Sequence, residues 1–114
     1  MKLLVCGDRD WKDYDAIYRI VQRLQPLCII EGGGSGADAK AMDVAACLGI
    51  PRTTVSAEWN IYGRAAGPIR NQKMIDMHPD LVVAFHSDIT KSAGTMDTLC
   101  RAEDNGIPYA LVEG

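Results

Sequence analysis

The chain has 114 residues, 47% hydrophobic and 24% charged, which suits one globular domain over residues 1–114. Its net charge of −3 argues against broad, non-specific nucleic-acid binding and leaves room for a local basic patch. No apolar run approaches membrane-span length and the apolar stretch after Lys2 is too short for a signal peptide, so a cytoplasmic location with no membrane partner is expected.

Leu3-Leu4-Val5-Cys6 is a continuous apolar run, the pattern of a strand buried on both faces. Gly7-Asp8-Arg9-Asp10 ends it. Ile17, Ile20, Val21 and Leu24 then recur at helical spacing, with Asp13 as N-cap and Pro26 as stop. Leu27 to Ile30 forms a second strand. It opens into Glu31-Gly32-Gly33-Gly34-Ser35-Gly36-Ala37-Asp38, followed by an Ala-rich helical segment. Strand, glycine loop and helix together predict a phosphate or carboxylate cradle. Glycines let a ligand approach the main chain, and the first helical N–H groups lack intrahelical partners. A packing turn is the competing reading. The loop matches neither G-x-G-x-x-G nor G-x-x-x-x-G-K-[ST], so neither of those mechanisms carries over.

Ala41, Val44, Ala45 and Leu48 repeat the helical spacing, with Gly49 as C-cap. Thr53-Thr54-Val55-Ser56 is a weaker, more polar strand expected at a sheet edge. Residues 57–67 read as an irregular connection, and connections of this length tend to be functional. Pro68 suits the first position of a helix carrying Ile69, Arg70, Asn71, Met74 and Ile75, which stops before His78-Pro79. Leu81 to Phe85 is the most hydrophobic run and the expected central strand. The polar loop from His86 to Ala93 leads through Gly94-Thr95 into a helix with Met96, Leu99 and Cys100 expected to face inward. Asn105-Gly106 closes that helix, and Tyr109 to Val112 is the last strand. Cys6, Cys28, Cys47 and Cys100 all fall in apolar segments. They read as small buried hydrophobes, with no spacing that suggests a metal site or a disulfide framework.

Five strands alternating with four helices imply an α/β fold. A parallel sheet of order 3-2-1-4-5 with helices on both faces is predicted. The winding then reverses between strands one and four, where such sheets bind ligands at the carboxyl ends of their strands. The loops expected there are Gly7 to Asp10, Gly32 to Asp38 and His86 to Thr95.

Arg70, near the start of its helix with Asn71, can contact phosphate bidentately; pairing with a carboxylate such as Asp38 is the competing role. Arg9 is a second phosphate candidate or a solvated turn residue. Ser92 and Thr95 flank Gly94 at a helix start, where a hydroxyl caps the helix, shares a phosphate, or does both. Asp38 either stabilises a helix dipole or accepts hydrogen bonds from a ribose hydroxyl. Trp59 and Tyr62 are candidates for base stacking or for burial against the sheet or a second subunit. His78 reads as a helix-end residue. His86 stands within reach of the site, with no paired nucleophile to make it a general base.

Together these segments resemble a known family. Cys6-Gly7-Asp8-Arg9-Asp10-Trp11 resembles the opening motif of the YspA-type, YpsA-related branch of the SLOG superfamily. Gly32 to Asp38 resembles its glycine loop. Trp59 with Tyr62-Gly63-Arg64-Ala65-Ala66-Gly67-Pro68-Ile69-Arg70-Asn71 resembles its central signature, and Ser92-Ala93-Gly94-Thr95-Met96-Asp97 its last loop. The resemblance implies a Rossmann-like three-layer sandwich that binds a nucleotide or a nucleotide-derived ligand: a phosphorylated nucleoside, an ADP-ribose-like compound or a cyclic nucleotide. Sensing or sequestering that ligand is the expected function, with no further cofactor. A homodimer or higher homo-oligomer is also expected.

Lonely-guy phosphoribohydrolases are similar in their glycine loop, in an Arg that Arg70 resembles, and in a Gly-Thr pair resembled by Gly94-Thr95. Their catalytic Glu is replaced here by Thr98. Asp97 lies one position early, so Arg70 and Asp97 are the catalytic candidates of an alternative N-glycosidic hydrolase reading, and the expectation leans away from an enzyme. DprA-type DNA-processing proteins resemble the chain at Asp38 and Arg70-Asn71. Single-stranded nucleic-acid binding is therefore a second alternative, disfavoured by the acidic composition.

Overall fold

The structure is a computed structural model that describes residues 1–114. In chain order the elements are β1 (Lys2–Gly7), α1 (Tyr14–Leu24), β2 (Cys28–Glu31), α2 (Ala37–Leu48), β3 (Arg52–Thr54), α3 (Trp59–Tyr62), α4 (Ala66–Asp76), β4 (Leu81–Phe85), α5 (Ala93–Asp104) and β5 (Tyr109–Val112). Short 3₁₀ turns at Gly63–Ala65 and Ile89–Lys91 precede α4 and α5. All strand pairs are parallel, in the order β3-β2-β1-β4-β5. The winding reverses between β1 and β4, paired from Leu3 opposite Leu81 to Gly7 opposite Phe85.

Alternation along the strands divides the core into two layers. Leu3, Val5, Ile29, Val83 and Phe85 point to one face and pack with Ile17 and Val21 of α1 and Ala37, Ala41, Val44 and Ala45 of α2. Leu4, Cys6, Ile30, Val82 and Ala84 point to the other face, against Met74 and Ile75 of α4 and Ala102 of α5. Burying each large aliphatic side chain contributes roughly 1.5–3 kcal/mol. The alanine stripe of α2 lets that helix lie close to β1 and β2. The result is a Rossmann-like three-layer α/β sandwich.

The helix ends follow their sequence signals. Asp13 caps α1 by accepting from Ala16 N–H at 3.1 Å, and Gln25 takes a left-handed conformation just before Pro26. Gly49 ends α2 at φ +68°. Ser92 caps α5 by accepting from Thr95 N–H at 3.1 Å.

Four expectations need correction. The connection 57–67 is mostly helical: the Glu58 carbonyl accepts from Ile61 and Tyr62 N–H, forming the single turn of α3. Helix α4 starts at Ala66, so Pro68 is its third residue, still within the turn whose N–H groups need no intrahelical acceptor. On α5 the residues turned inward are Thr95, Thr98 and Ala102, while Met96 and Cys100 are exposed and Leu99 is half-buried. The sheet-facing side of that helix also borders the cleft described next, so it carries hydroxyls. Of the cysteines only Cys6 is buried; Cys28 is intermediate, and Cys47 and Cys100 are exposed.

Candidate functional site

At the carboxyl ends of β1, β2 and β4 lies a cleft of about 790 Å³, within the size range of small-molecule sites. It is walled by the loop after β1, the glycine loop after β2, the first turns of α4, and the start of α5. Gly7, Asp8, Arg9, Gly32, Gly33, Gly34, Ser35, Asp38, Arg70, Asn71, Ser92, Gly94 and Thr95 all line it, with Trp59 and His86. Segments far apart in sequence are thus brought together by the sheet order.

Arg70 is held from two sides. Its Nε–H donates to the Asn71 Oδ1 at 2.9 Å, and Nη1 donates to the Gly32 carbonyl at 2.8 Å. Gly32 provides the room: a Cβ there would overlap Nη1 and lie 3.0 Å from Cζ of the guanidinium. Asn71 is only 4% exposed. Its amide donates to Asp97 Oδ2 at 3.0 Å and to the Gly94 carbonyl at 3.3 Å. Asp97 also accepts from Arg101 Nε at 2.8 Å, and Arg101 Nη1 donates to Gln72 at 2.9 Å. One hydrogen-bonded chain therefore runs from α5 through Asn71 to the guanidinium. It leaves Nη2 of Arg70 free for an anion. Arg70 forms no ion pair with Asp38.

Part of the glycine loop is closed by the chain itself. Gly33 N–H donates to Glu31 Oε1 at 3.0 Å, and Gly34 N–H to Asp38 Oδ2 at 3.1 Å. The first N–H of α2, on Ala37, donates to the Asp8 carbonyl at 3.0 Å. The Ser35 hydroxyl donates to the Arg9 carbonyl at 3.0 Å. Gly36 lies beneath the loop rather than in the cleft lining. It sits at φ +64°, where a Cβ would collide with the Asp8 and Arg9 main chain. Burial pushes the Asp38 carboxyl above its ordinary range, with the Gly34 amide and the Arg70 guanidinium pulling against it. Glu31 is fully buried behind the loop and outside the cleft lining. Its carboxyl is also raised by burial, against hydrogen bonds from Thr54 and Gly33.

The Ser35 and Gly36 N–H groups of the loop have no acceptor in the chain, and further open donors lie at α5. Ser92 Oγ takes the Thr95 N–H, and the N–H groups of Ala93 and Gly94 have no acceptor in the chain. A Cβ on Gly94 would meet nothing within 4 Å, so the amides of this turn are open to a ligand. Lys91 and Arg9, both exposed, line the same cleft. His86 Nδ1 accepts from Asp88 N–H at 3.0 Å, so the neutral ring carries its proton on Nε2. That nitrogen has no partner in the chain, yet no buried polar side-chain atom is left unpaired; Nε2 is therefore solvent-accessible.

Trp59 lines the cleft at 59% exposure, its ring edge 3.4 Å from where a Cβ on Gly67 would stand. Tyr62, 42% exposed, lies outside the lining, so the two aromatics do not form one stacking platform. Asp97 is likewise outside it. Burial alone would raise its carboxyl, but hydrogen bonds from Arg101 and Asn71 outweigh this and hold it below the ordinary range. It orients Asn71 rather than facing the cleft. Cys6 borders the cleft, but burial, then the Asp38 charge, pushes its thiol far up, so it is no nucleophile. Ser56, Ala57, Met74, Lys91, Ala93 and Thr98 also line the cleft without having been singled out as ligand residues. Met74 carries only an apolar-face signal. Arg101 stands four residues beyond Asp97, a helical ion-pair spacing that the sequence does contain.

A family model described as the YspA, cpYpsA-related SLOG family matches residues 1–62. The chain is 31% identical over 117 aligned positions to Gene 61 protein of Mycobacterium phage D29, covering 94% of this chain and 92% of that protein. Among solved structures, DNA processing protein A (DprA) from Streptococcus pneumoniae superposes with a TM-score of 0.82 at 19% identity, over 99% of this chain. The chain spans only 50% of that protein's length, and at this identity the likeness shows the fold alone. A predicted subunit of tRNA methyltransferase from Methanocaldococcus jannaschii superposes with a TM-score of 0.50 at 14% identity, covering 97% of this chain and 66% of that one. From the family match and the phage relative, the chain belongs to the YspA, cpYpsA-related SLOG family.

Proposed function

We propose that the cleft binds a nucleotide or nucleotide-derived ligand and that the protein senses or sequesters it. One observation carries this reading: the restrained guanidinium of Arg70 and the unpartnered amides of Ala93 and Gly94 border the same cleft. Fixed donors of this kind suit a phosphate, and their rigidity lowers the ordering cost of binding. Trp59 supplies an apolar face at the rim for a base. Residues 1–114 act as one binding domain in this reading.

A second reading, N-glycosidic hydrolysis, is favoured by the position of Asp38 in the cleft. Such chemistry needs a carboxylate near the sugar. Of Glu31, Asp38 and Asp97, only Asp38 lines the cleft, and burial raises its carboxyl beside Arg70. Thr98 cannot serve in place of a carboxylate; it is buried, and its hydroxyl donates to the Gly94 carbonyl at 3.2 Å.

One experiment separates these readings. The protein is incubated with nucleoside monophosphates, ADP-ribose, cyclic nucleotides and a short single-stranded oligonucleotide, then freed of unbound compound and heat-denatured. Recovery of intact nucleotide supports binding; recovery of free base with ribose phosphate supports hydrolysis. Retention of the oligonucleotide alone, lost steeply with salt, replaces both with nucleic-acid binding. Arg70→Ala lowers retention about tenfold or more in the first two cases. Unchanged retention in that variant places the site elsewhere.

A further inference from the structure

Two consecutive amides of the glycine loop already have anionic partners inside the chain. Asp38 Oδ2 accepts the Gly34 N–H, and Glu31 Oε1 accepts the Gly33 N–H. The same Asp38 oxygen lies 3.1 Å from the positions where a Cβ on Gly32 or on Gly34 would stand. It therefore sits against the loop main chain, on the ground a bound anion would need. Behind it, the first amide of α2 is closed by the Asp8 carbonyl. What the loop offers the cleft is the Asp38 carboxylate as acceptor, beside the Ser35 N–H, which has no acceptor in the chain. No cation stands within ion-pair distance of the carboxylate, and Arg70 is held back by Gly32 and Asn71.

From these contacts, and resting on the nucleotide reading above, we propose that Asp38 is a selectivity determinant. It makes the glycine loop the hydroxyl-receiving end of the cleft, so the ligand is a ribonucleoside 5′-phosphate with free ribose hydroxyls, and a phosphate on those hydroxyls is refused. A carboxylate accepts hydrogen bonds from a ribose diol, whereas a phosphate there calls for an arginine paired against Asp38, and Arg9, the exposed arginine of this cleft, makes no ion pair with it. Two anions brought together in a partly desolvated cleft repel strongly. Burial already disfavours the charged form of the Asp38 carboxyl, and a second anion beside it would add to that cost. The charge of the cleft thus changes along its length, with the Arg70 guanidinium and the α5 amides at one end and the Asp38 carboxylate at the loop.

The test is isothermal titration of the full chain with the four ribonucleoside 5′-monophosphates, their 2′- and 3′-deoxy forms, and their 2′,5′- and 3′,5′-bisphosphates. For the base bound best, the monophosphate should bind at least about tenfold more tightly than either bisphosphate. At least one deoxy form should weaken by a similar factor. Asp38→Asn keeps the side-chain shape and an oxygen for Gly34 N–H. It should bring monophosphate and bisphosphate to within about threefold. Equal binding of bisphosphate by the parent, full affinity for both deoxy forms, or an unchanged gap in the variant overturns the proposal. The parent measurements decide this even where the variant does not fold. Absence of binding by every nucleotide instead removes the nucleotide reading and the proposal with it.

Discussion

Arg70 and Asn71 are neighbours in sequence and partners in space: the guanidinium Nε–H donates to the Asn71 side-chain oxygen at 2.9 Å. Because the Asn71 nitrogen is tied to Asp97 and the Gly94 carbonyl, its oxygen can face only one way. Asn71→Ala should destabilise the fold by about 1–3 kcal/mol, since it leaves buried polar partners unsatisfied. It should also speed solvent exchange of the Arg70 Nε–H signal in nitrogen-labelled protein relative to the parent. Urea denaturation and proton exchange check the two effects separately. Exchange unchanged from the parent would show that Asn71 does not hold the guanidinium.

Two glycines in one loop should respond differently to a methyl group. Gly32→Ala forces the Arg70 guanidinium aside, because Nη1 occupies the space a Cβ needs. A flexible side chain can yield, so the stability cost stays below about 1.5 kcal/mol while ligand retention falls about tenfold. Gly36→Ala meets main chain instead, at φ +64°. Backbone cannot yield in that way, and the cost should exceed about 2 kcal/mol. Thermal denaturation of the two variants, beside retention for Gly32→Ala, checks the order.

The buried Glu31 carboxyl gives stability a measurable pH dependence. Burial raises its folded-state pKa above the unfolded value. The folded chain therefore keeps a proton that the unfolded chain has already lost. The associated stability is complete below the unfolded pKa and disappears as pH rises through the folded one. Glu31→Gln removes this titration. Its amide can still accept from Gly33 and donate to Thr54. The variant should gain stability relative to the parent between pH 4 and pH 8, as read by guanidinium denaturation. The same difference at both pH values would show that Glu31 titrates normally.

Thiol accessibility offers a direct check on the packing. Cys47 and Cys100 are exposed, whereas Cys6 is buried beneath the cleft with its thiol pushed up. Iodoacetamide at neutral pH should label the first two at least about tenfold faster than Cys6, with Cys6 reacting only after denaturation. Peptide mass spectrometry identifies the sites. Rapid labelling of Cys6 in folded protein would mean that β1 is not packed as described.

Much of the architecture was legible in residue order alone. Leu3 to Cys6, Leu27 to Ile30 and Leu81 to Phe85 announce buried parallel strands because both of their faces must be apolar. Their alternation with helical spacing leads to the strand order and to the end of the sheet where loops converge. The caps at Asp13, Gly49 and Ser92 were equally local. Met96 and Cys100 misled because an apolar stripe on a helix names the core only where the inward face borders nothing polar. On α5 that face also borders the cleft, and Thr95 and Thr98 occupy it.

Which donors remain free was decided by tertiary structure. The glycine loop has the composition of an anion cradle, yet Asp38 and Glu31 take its Gly34 and Gly33 amides, while those of Ser35, Gly36, Ala93 and Gly94 stay open. Arg70 finds its acceptor 38 residues away at Gly32, and Asn71 finds Asp97 26 residues away. A hydrogen-bonding group takes whichever partner the fold places within about 3 Å of it. Composition supplies the groups, and the sheet order decides which of them meet.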